Sequence, residues 1–356
     1  MAERPKIFAN LMKDIIRPGL CTFCGACAAS CPPFSISVEG DTPKLVSRCI
    51  ACQMCYYSCA RVEFDQAAVD EWLFGRGREG DEEFIGVHKG LYAVKSRDED
   101  VLKVCQNGGA ATSLLLYALE EGIVDGIVCT CSDEKWAPRV FVATSREDLL
   151  KCAGTKYSPS PNVFGVRLAV EEYALEKVAL VGTPCHIEGL RKIQMSELRH
   201  EAVAEAVKFA VGLFCMGNYQ YDALMKHLEK KGVDVSTVTK FEISGGKFKA
   251  YGEKELLLEE SVKAVAKFYR SGCKVCTDFT AEYADVSVGN VGTPDDWSTV
   301  IVRTKLGEEL LKGAEKKGLV EVKPLEEFKP GLEAVLKLAK AKKKRGAKAS
   351  SASRTA

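Results

Sequence analysis

Eight of the sixteen cysteines in this 356-residue chain form two runs that share the spacing C-x2-C-x2-C-x3-C. The runs are Cys21, Cys24, Cys27, Cys31 and Cys49, Cys52, Cys55, Cys59. In ferredoxins with two 4Fe-4S clusters, the last cysteine of each run binds the cluster held by the other run. The spacing therefore predicts one cluster on Cys21, Cys24, Cys27 and Cys59 and another on Cys49, Cys52, Cys55 and Cys31. Zinc prefers separated C-x2-C pairs and disulfides need an oxidising compartment, so both alternatives are disfavoured.

Four further cysteines predict a third metal site: Cys185, Cys215, Cys273 and Cys276. Cys185 and Cys215 each follow an apolar segment that is expected to form a strand, whereas the other two form a C-x2-C pair. Four thiolates suit either zinc or a 4Fe-4S cluster. Next to a ferredoxin-like segment we expect the cluster. The remaining cysteines lack such spacing and are interpreted as buried or incidental, namely Cys105, Cys129, Cys131 and Cys152.

Iron-sulfur clusters carry single electrons, whereas nicotinamides and deazaflavins deliver hydride, and a flavin can connect the two. No G-x-G-x-x-G fingerprint follows a strand. One candidate flavin loop is the glycine pair Gly108 and Gly109, which opens a helix with Thr112 and Ser113 in its first turn and whose amides can hold a pyrophosphate. The other is the loop 153–161, with Lys156 and Tyr157. An ordinary turn and a proline-stiffened surface loop are the alternative interpretations.

These residues require a scaffold, and the hydrophobic pattern predicts an α+β chain. We expect a ferredoxin-like domain over 1–62, a charged and glycine-rich linker over 63–88, a larger α/β domain with a mixed sheet over 89–330, and a basic tail over 331–356. Strands are expected at 90–95, 124–129, 140–144, 177–181 and 207–214, and helices at 110–121, 166–176 and 219–231. The glycine pair Gly245 and Gly246 predicts a hairpin.

Charge and hydrophobic pattern bear on nucleic-acid binding, export and membrane spanning. The formal net charge of +1 gives no field that points to nucleic acid. There is neither an export signal nor a run of about 20 apolar residues that would cross a membrane. We expect a cytoplasmic protein, either free or peripheral on the inner face of the membrane. Residues 337–348 hold seven basic residues and no acidic one. They predict a charged helix that frays into a disordered tail, either merely solvated or in contact with an acidic partner subunit or anionic lipid.

An ordered set of motifs resembles the family of coenzyme F420 hydrogenase/dehydrogenase β subunits. The motifs are Gly108-Gly-Ala-Ala-Thr112, Gly154-Thr-Lys-Tyr157, Gly182-Thr-Pro-Cys185, Gly212-Leu-Phe-Cys215, Cys273-x-x-Cys276 followed by Asp278, Ala284-Asp-Val-Ser-Val-Gly289 and Trp297-Ser-Thr-Val300. The ferredoxin-like front end is similar to that of the electron-input subunits of archaeal F420 dehydrogenases. The resemblance covers most of the chain, from about residue 90 to 324.

The resemblance implies an oxidoreductase that takes hydride from reduced F420 to FAD and passes electrons through three 4Fe-4S clusters. The implied acceptor is ferredoxin or a membrane-bound, complex I-like oxidoreductase that reduces methanophenazine or quinone. Another F420-linked complex, or an electron relay without flavin, is the alternative. No catalytic nucleophile is required. The residues implied to bind FAD or F420 are Gly108, Gly109, Thr112, Ser113, Lys156, Tyr157, Gly182, Thr183, Arg191 and Arg270, the two arginines as partners for the anionic groups of F420.

Overall fold

The computed structural model describes residues 4–354, with side chains through residue 350. The β-strands are β1 Ile36–Ser37, β2 Lys44–Leu45, β3 Gly90–Ser96, β4 Gly126–Ser132, β5 Pro138–Ala143, β6 Val178–Gly182, β7 Val207–Leu213, β8 Lys240–Ser244, β9 Lys247–Tyr251, β10 Leu256–Ser261, β11 Val286–Gly289, β12 Ser298–Val302 and β13 Val320–Pro324. The α-helices are α1 Phe8–Leu11, α2 Ala26–Ala29, α3 Met54–Tyr57, α4 Gln66–Phe74, α5 Glu82–Ile85, α6 Glu99–Val104, α7 Ala110–Glu120, α8 Arg146–Lys151, α9 Asn162–Glu171, α10 Pro184–Met195, α11 Glu201–Ala206, α12 Tyr221–Lys230, α13 Val262–Val265, α14 Ser271–Lys274, α15 Lys305–Lys316 and α16 Gly331–Arg354. A π-helical turn spans Met12–Ile16, and 3-10 turns span Val235–Thr237, Ala266–Phe268 and Leu325–Glu327.

A mixed eight-stranded sheet forms the centre of the large domain, in the order β13-β3-β12-β11-β7-β6-β4-β5. Strands β3, β11, β7, β6 and β4 run in one direction, and β13, β12 and β5 run in the other. The first group therefore ends at one edge of the sheet, which we call the carboxyl edge. The mixed sheet is confirmed, and the five expected strands are present with ends shifted by a few residues.

Helices cover both faces of this sheet, which explains why its central strands are almost continuously apolar. On one face, Leu114 and Leu115 of α7 pack with Leu310 and Leu311 of α15. On the other face, α9, α10 and α11 supply Val166, Ile187 and Val203. The two layers hold the carboxyl edge rigid.

A second, three-stranded sheet in the order β10-β9-β8 packs against α12 through Phe248, Leu224 and Leu228. Its strands β8 and β9 are joined by Gly245 and Gly246, whose φ angles of 56° and 73° suit glycine. The hairpin expected at this glycine pair is confirmed.

The ferredoxin-like segment forms a compact unit around α1, α2 and α3 that lies against the large domain. Its internal repeat is visible in Ser30 and Ser58, each one residue before the last cysteine of its run, whose hydroxyls hydrogen-bond at 2.7 Å. At the contact with the large domain, the amide of Val163 donates to the carbonyl of Cys24 at 3.0 Å. A Cβ on Gly272 would lie 2.2 Å from the carbonyl oxygen of Leu20, so this approach requires glycine.

Residues 63–88 differ from the expected linker, since they contain α4 and α5 and buried charges. The guanidinium of Arg78 donates to Asp70 at 2.7 Å, to Glu282 and to the hydroxyl of Tyr283 at 3.0 Å. Arg78, Asp70 and Glu282 each have side chains about 3% exposed. The segment is charged because it supplies a buried ion cluster.

The C-terminal segment also differs from expectation. Helix α16 is continuous from Gly331 to Arg354 rather than fraying near residue 350, and Thr355 and Ala356 lie outside the described residues. It buries Val335, Ala339 and Lys342 against the large domain. None of the helices within residues 4–354 has the length and apolar character needed to cross a membrane.

We predict that Arg78→Leu lowers the free energy of unfolding by about 3–5 kcal/mol, because it leaves buried carboxylates without their cation. Urea unfolding followed by circular dichroism measures the change. Lys103→Met, which removes an exposed pair with Asp100, is the matched control and leaves the midpoint unchanged. Equal midpoints for both variants contradict the prediction.

Candidate functional site

The ferredoxin-like segment brings its cysteines into two groups that each mix both runs. Cys31, Cys49, Cys52 and Cys55 line one cavity. In the other group, burial raises the pKa of Cys24 to about 12, with further contributions from Cys59 and Cys21, and Cys27 interacts with the same thiols. These are the two sets predicted from the spacing. We call Cys21, Cys24, Cys27 and Cys59 the first ferredoxin group, and Cys31, Cys49, Cys52 and Cys55 the second ferredoxin group. Their soft donors and number fit 4Fe-4S clusters.

Main-chain amides support this donor set. The amide of Phe23 donates to the sulfur of Cys21 at 3.3 Å, and that of Arg61 donates to the sulfur of Cys59 at 3.4 Å. Left-handed backbone at Phe23 and Ala51, with φ of 63° and 58°, turns the loops around the thiols. Hydrogen bonds to sulfur are one of the means by which proteins set cluster potentials.

The four other predicted ligands line a second cavity, which we call the third thiol site. They are Cys185, Cys215, Cys273 and Cys276. Cys185 stands in the first turn of α10 after β6, and Cys215 follows β7, so two neighbouring strands present them at the carboxyl edge. Cys273 lies in α14 and accepts a hydrogen bond from the amide of Asn218 at 3.4 Å.

The third thiol site has the chemistry of a cluster cradle. Its four thiols line one cavity, and thiolates are soft donors that suit an iron-sulfur cluster. Burial raises the pKa of Cys215 to about 12, and it raises that of Cys185 well above its usual value, with contributions from Cys24 and Cys273. Buried thiols of this kind ionise when they bind metal.

Two cations compensate the thiols of the third site. Burial lowers the pKa of Lys342, but Cys276, Cys215 and Asp278 outweigh that effect and raise it. Likewise, burial lowers the pKa of Arg61, while Glu188, Cys276 and Cys185 raise it more.

The third thiol site adjoins the ferredoxin-like segment. Thr22, between the first two cysteines of that segment, lines the same cavity as Cys185. Cys24 and Cys185 belong to one buried apolar cluster. A Cβ on Gly189 of α10 would lie 3.6 Å from the sulfur of Cys24, so the helix carrying Cys185 touches the first ferredoxin group directly.

The glycine pair also lies at the carboxyl edge. The amide of Ser96, at the end of β3, donates to the carbonyl of Gly108 at 2.6 Å. Gly109 precedes α7 with φ of 76°, and a Cβ on Gly108 would lie 2.6 Å from the amide nitrogen of Ser298. The pair thus starts an eleven-residue helix whose first amides lack intrahelical acceptors, which fits an anionic phosphate group.

The first turn of α7 corrects one prediction. Ser113 is buried, and its hydroxyl donates to that of Ser96 at 2.8 Å. Its oxygen therefore fixes the start of α7 against β3 and does not face a ligand. Thr112 is half-buried at the same turn.

The loop 153–161 connects the glycine pair with the third thiol site. The amide of Thr155 donates to Oε1 of Gln106 at 3.0 Å, and the carbonyl of Ser160 accepts from Nε2 of His186 at 2.8 Å. Nζ of Lys156 donates to the carbonyls of Cys152 and Ala153, both at 2.6 Å. Burial lowers the pKa of Lys156 to about 8.

Tyr157 anchors the same loop. Its hydroxyl accepts from the amide of Ile243 at 3.0 Å, and its ring packs on Tyr219 and Phe248 of the small sheet unit. Its carbonyl accepts from the amide of Tyr219 at 2.8 Å. Tyr157, which is expected to line a flavin pocket, therefore also joins the domain of the eight-stranded sheet to the three-stranded sheet.

Two predicted F420 contacts are corrected by their surroundings. Arg191 is buried and donates to the carbonyl of Tyr283 at 2.9 Å, to Asp285 at 2.9 Å and to Gln194 at 2.7 Å, so its guanidinium is fully engaged. Arg270 is also buried and donates to the carbonyls of Asp41 at 2.8 Å and Cys21 at 3.5 Å. Arg270 therefore ties the ferredoxin-like segment to the loop before α14.

Gly182 and Thr183 lie at the third thiol site. A Cβ on Gly182 would lie 2.5 Å from the Cβ of His186, and the hydroxyl of Thr183 is 3.3 Å from the sulfur of Cys185. They shape the turn that presents Cys185. His186 itself has a pKa lowered by burial to about 4, and its ring nitrogens are occupied by Ser160 and Thr183, as befits a structural histidine.

Two of the remaining cysteines, Cys131 and Cys152, form a disulfide that joins the end of β4 to the end of α8. Both residues are buried, as one of the two interpretations had it, but they are paired rather than free thiols. Cys129 is buried and Cys105 is half-buried.

The functional residues that sequence reasoning missed are cations that contact ligand cysteines. Arg167 donates to the carbonyl of Cys31, Lys192 donates to that of Cys59 at 3.0 Å, and Lys342 donates to that of Cys215. Each is distant in sequence from the cysteine that it contacts. The only signal in the sequence was the excess of basic residues near the C-terminus.

Comparisons with known proteins identify the family of this chain. The models for the N-terminal and C-terminal parts of the coenzyme F420 hydrogenase/dehydrogenase β subunit match residues 91–166 and 175–328, respectively. The β subunit of the coenzyme F420 hydrogenase of Methanosarcina barkeri is 41% identical over 73% of this chain and 90% of its own length. One subunit of the F(420)H(2) dehydrogenase of Methanosarcina mazei is 32% identical over 93% of this chain and 91% of its own length.

Two further relatives extend the comparison. The coenzyme F420-dependent sulfite reductase of Methanocaldococcus jannaschii is 36% identical over 89% of this chain, which spans 50% of that protein. A chain from the solved F420-reducing [NiFe] hydrogenase complex of M. barkeri superimposes with a TM-score of 0.71 at 40% identity, over 74% of this chain and 92% of its own. Together with the family models, these likenesses show that the chain is an oxidoreductase that belongs to the family of coenzyme F420 hydrogenase/dehydrogenase β subunits.

Proposed function

We propose that this protein oxidises reduced coenzyme F420 and passes the electrons one at a time through three 4Fe-4S clusters to a partner. The observation that carries the proposal is the convergence of three elements. The glycine pair and the third thiol site lie at one carboxyl edge, and the first ferredoxin group touches the helix that bears Cys185. Ligands of α/β proteins bind at this edge of the sheet.

FAD, when bound, supplies the conversion between hydride chemistry and single-electron transfer. Gly108, Gly109 and Thr112 would hold its phosphates at the start of α7, and the loop with Lys156 and Tyr157 would flank its ring. Lys156 and Tyr157 are half-buried and residues 158–161 are buried, so the loop would help to exclude water from a hydride transfer. The chain itself contributes orientation, so no nucleophile or acid is needed.

The second ferredoxin group is the proposed exit for electrons. Leu45 and Ile50 line its cavity and are 42% and 54% exposed, and nearby Val46 is 64% exposed. Apolar surface of this kind beside a cluster fits a docking partner. The proposed acceptor is ferredoxin or a membrane-bound, complex I-like oxidoreductase, which would place the protein in the cytoplasm or peripherally on the inner membrane face.

Anaerobically purified protein is expected to contain about twelve iron atoms per chain, in three four-iron clusters, together with one FAD. Reduced F420 should then reduce a viologen dye, whereas NADH should not. Metal analysis, absorbance spectra and dye reduction measure these quantities. Equal rates with NADH would overturn the substrate assignment, and the absence of flavin would favour a relay without flavin.

Cys185→Ser should reduce the iron content to about eight atoms per chain and abolish dye reduction by F420. The ferredoxin clusters should keep their electron paramagnetic resonance (EPR) signals, because their ligands are unchanged. Cys129→Ala is the control, since Cys129 is buried outside the three groups. If both variants retain full iron and activity, the third cluster is not on the path.

Gly108→Ala should weaken FAD binding about tenfold, equivalent to ~1.4 kcal/mol. The new Cβ meets the main chain of Trp297 and Ser298 and displaces the loop. Fluorescence of released flavin measures the loss, and iron content should stay constant. Gly77→Ala, where no atom lies within 4 Å of the new Cβ, is the control. Unchanged flavin content in Gly108→Ala would remove the glycine pair from the site.

A further inference from the structure

Helix α16 closes the third thiol site from outside the region that the family models match, which ends at residue 328. Nζ of Lys342 donates to the carbonyl of Cys215. Arg345, one turn further, donates to the carbonyls of Met216 at 2.7 Å and Cys273 at 3.3 Å. Gly346 permits this approach, since a Cβ there would lie 2.9 Å from the carbonyl oxygen of Cys276.

Lys342 is buried although it forms no ion pair with a carboxylate of the described residues. Lys340 pairs with Asp81 at 3.9 Å and Lys343 pairs with Glu282 at 3.4 Å, whereas the ion pairs found among the described residues include none for Lys342. Lys342 is nevertheless 1% exposed and lines the cavity with the four thiols. A buried ammonium requires a compensating anion. The thiols of Cys276 and Cys215 face it, together with the carboxylate of Asp278.

We propose that Lys342 raises the reduction potential of the cluster held at the third thiol site. This inference rests on the proposed function, since it requires that cluster. Reduction adds one negative charge to a group already surrounded by four thiolates. A fixed cation in a dry site favours the more negative, reduced form. Lys342 would therefore make this cluster a better acceptor for electrons that leave the flavin.

Other charged residues near the third thiol site also affect the reduction potential of its cluster. Arg61 acts in the same direction as Lys342, through Cys276 and Cys185. Asp278 and Glu188 act in the opposite direction, and one oxygen of Asp278 is buried without a hydrogen-bond partner. The ammonium of Lys342 contacts a ligand residue of this site and lines its cavity, so its removal should dominate the change.

The test is a redox titration of the intact, iron-replete protein followed by EPR. Lys342→Met is expected to decrease the ratio of reduced to oxidised third cluster about tenfold at a fixed potential, which for one electron is a shift of about 59 mV downward. The two ferredoxin clusters should titrate as in the unmodified protein. Lys342→Arg, which keeps the charge, should have a midpoint potential close to that of the unmodified protein. Lys344→Met alters a neighbouring lysine of the same helix that does not line the cavity, and it should change nothing.

Lys342→Gln is the second neutral variant, because its amide can still donate to the carbonyl of Cys215. An unchanged midpoint in either neutral variant with full iron content overturns the proposal. Loss of the third cluster from both neutral variants, but not from Lys342→Arg, also overturns it in favour of a role in assembly. If the unmodified protein holds only about eight iron atoms, the proposed function fails, which is a separate result.

Discussion

Contacts between buried cations and the main-chain carbonyls of cysteines hold this molecule in its working arrangement. Arg167, Lys192 and Arg270 reach from the large domain to the carbonyls of Cys31, Cys59 and Cys21. Lys342 and Arg345 make the same contact at the third thiol site. Arg167, Arg270 and Lys342 are buried, whereas Lys192 and Arg345 are half-buried. Burying a cation costs free energy, which bonds to carbonyl oxygens and nearby anions offset. The same bonds that offset the charge of the thiols also fix the ferredoxin-like segment against the sheet.

A wider network of buried charge surrounds this arrangement. Arg78 donates to Glu282 and Arg303 donates to Thr280, and burial together with Asp278 raises the pKa of Glu282 to about 7. Such a network is stable only while each member keeps its partner. Through Lys343, which pairs with Glu282 at 3.4 Å, it also links α16 to the segment of α4 and α5 and to the loop that follows the C-x2-C pair, although α16 is far from that segment in sequence. Segments that resemble a linker and a tail in composition are part of the core.

The sequence was sufficient for features that depend on local spacing. The cysteine runs predicted which thiols meet, the glycine pair at residues 245 and 246 predicted the hairpin, and alternating apolar segments predicted a mixed sheet. The sequence was insufficient for charged residues, because a basic side chain can either face a ligand or solvent or bind groups inside the protein. Arg191 and Arg270 are of a residue type that often binds anionic ligands, but in this structure they donate to internal carbonyls and a carboxylate. Lys342 lies in a run of surface-like lysines, and only tertiary packing shows that it is the buried member.

The order of α16 and the four thiols along the chain has a consequence for biogenesis. The ribosome synthesises residues 331–354 after all four cysteines of the third site. Until the helix docks, the cavity lacks the wall that contains Lys342, Arg345 and Gly346. The wall that α16 contributes is therefore the last part of this site to be synthesised.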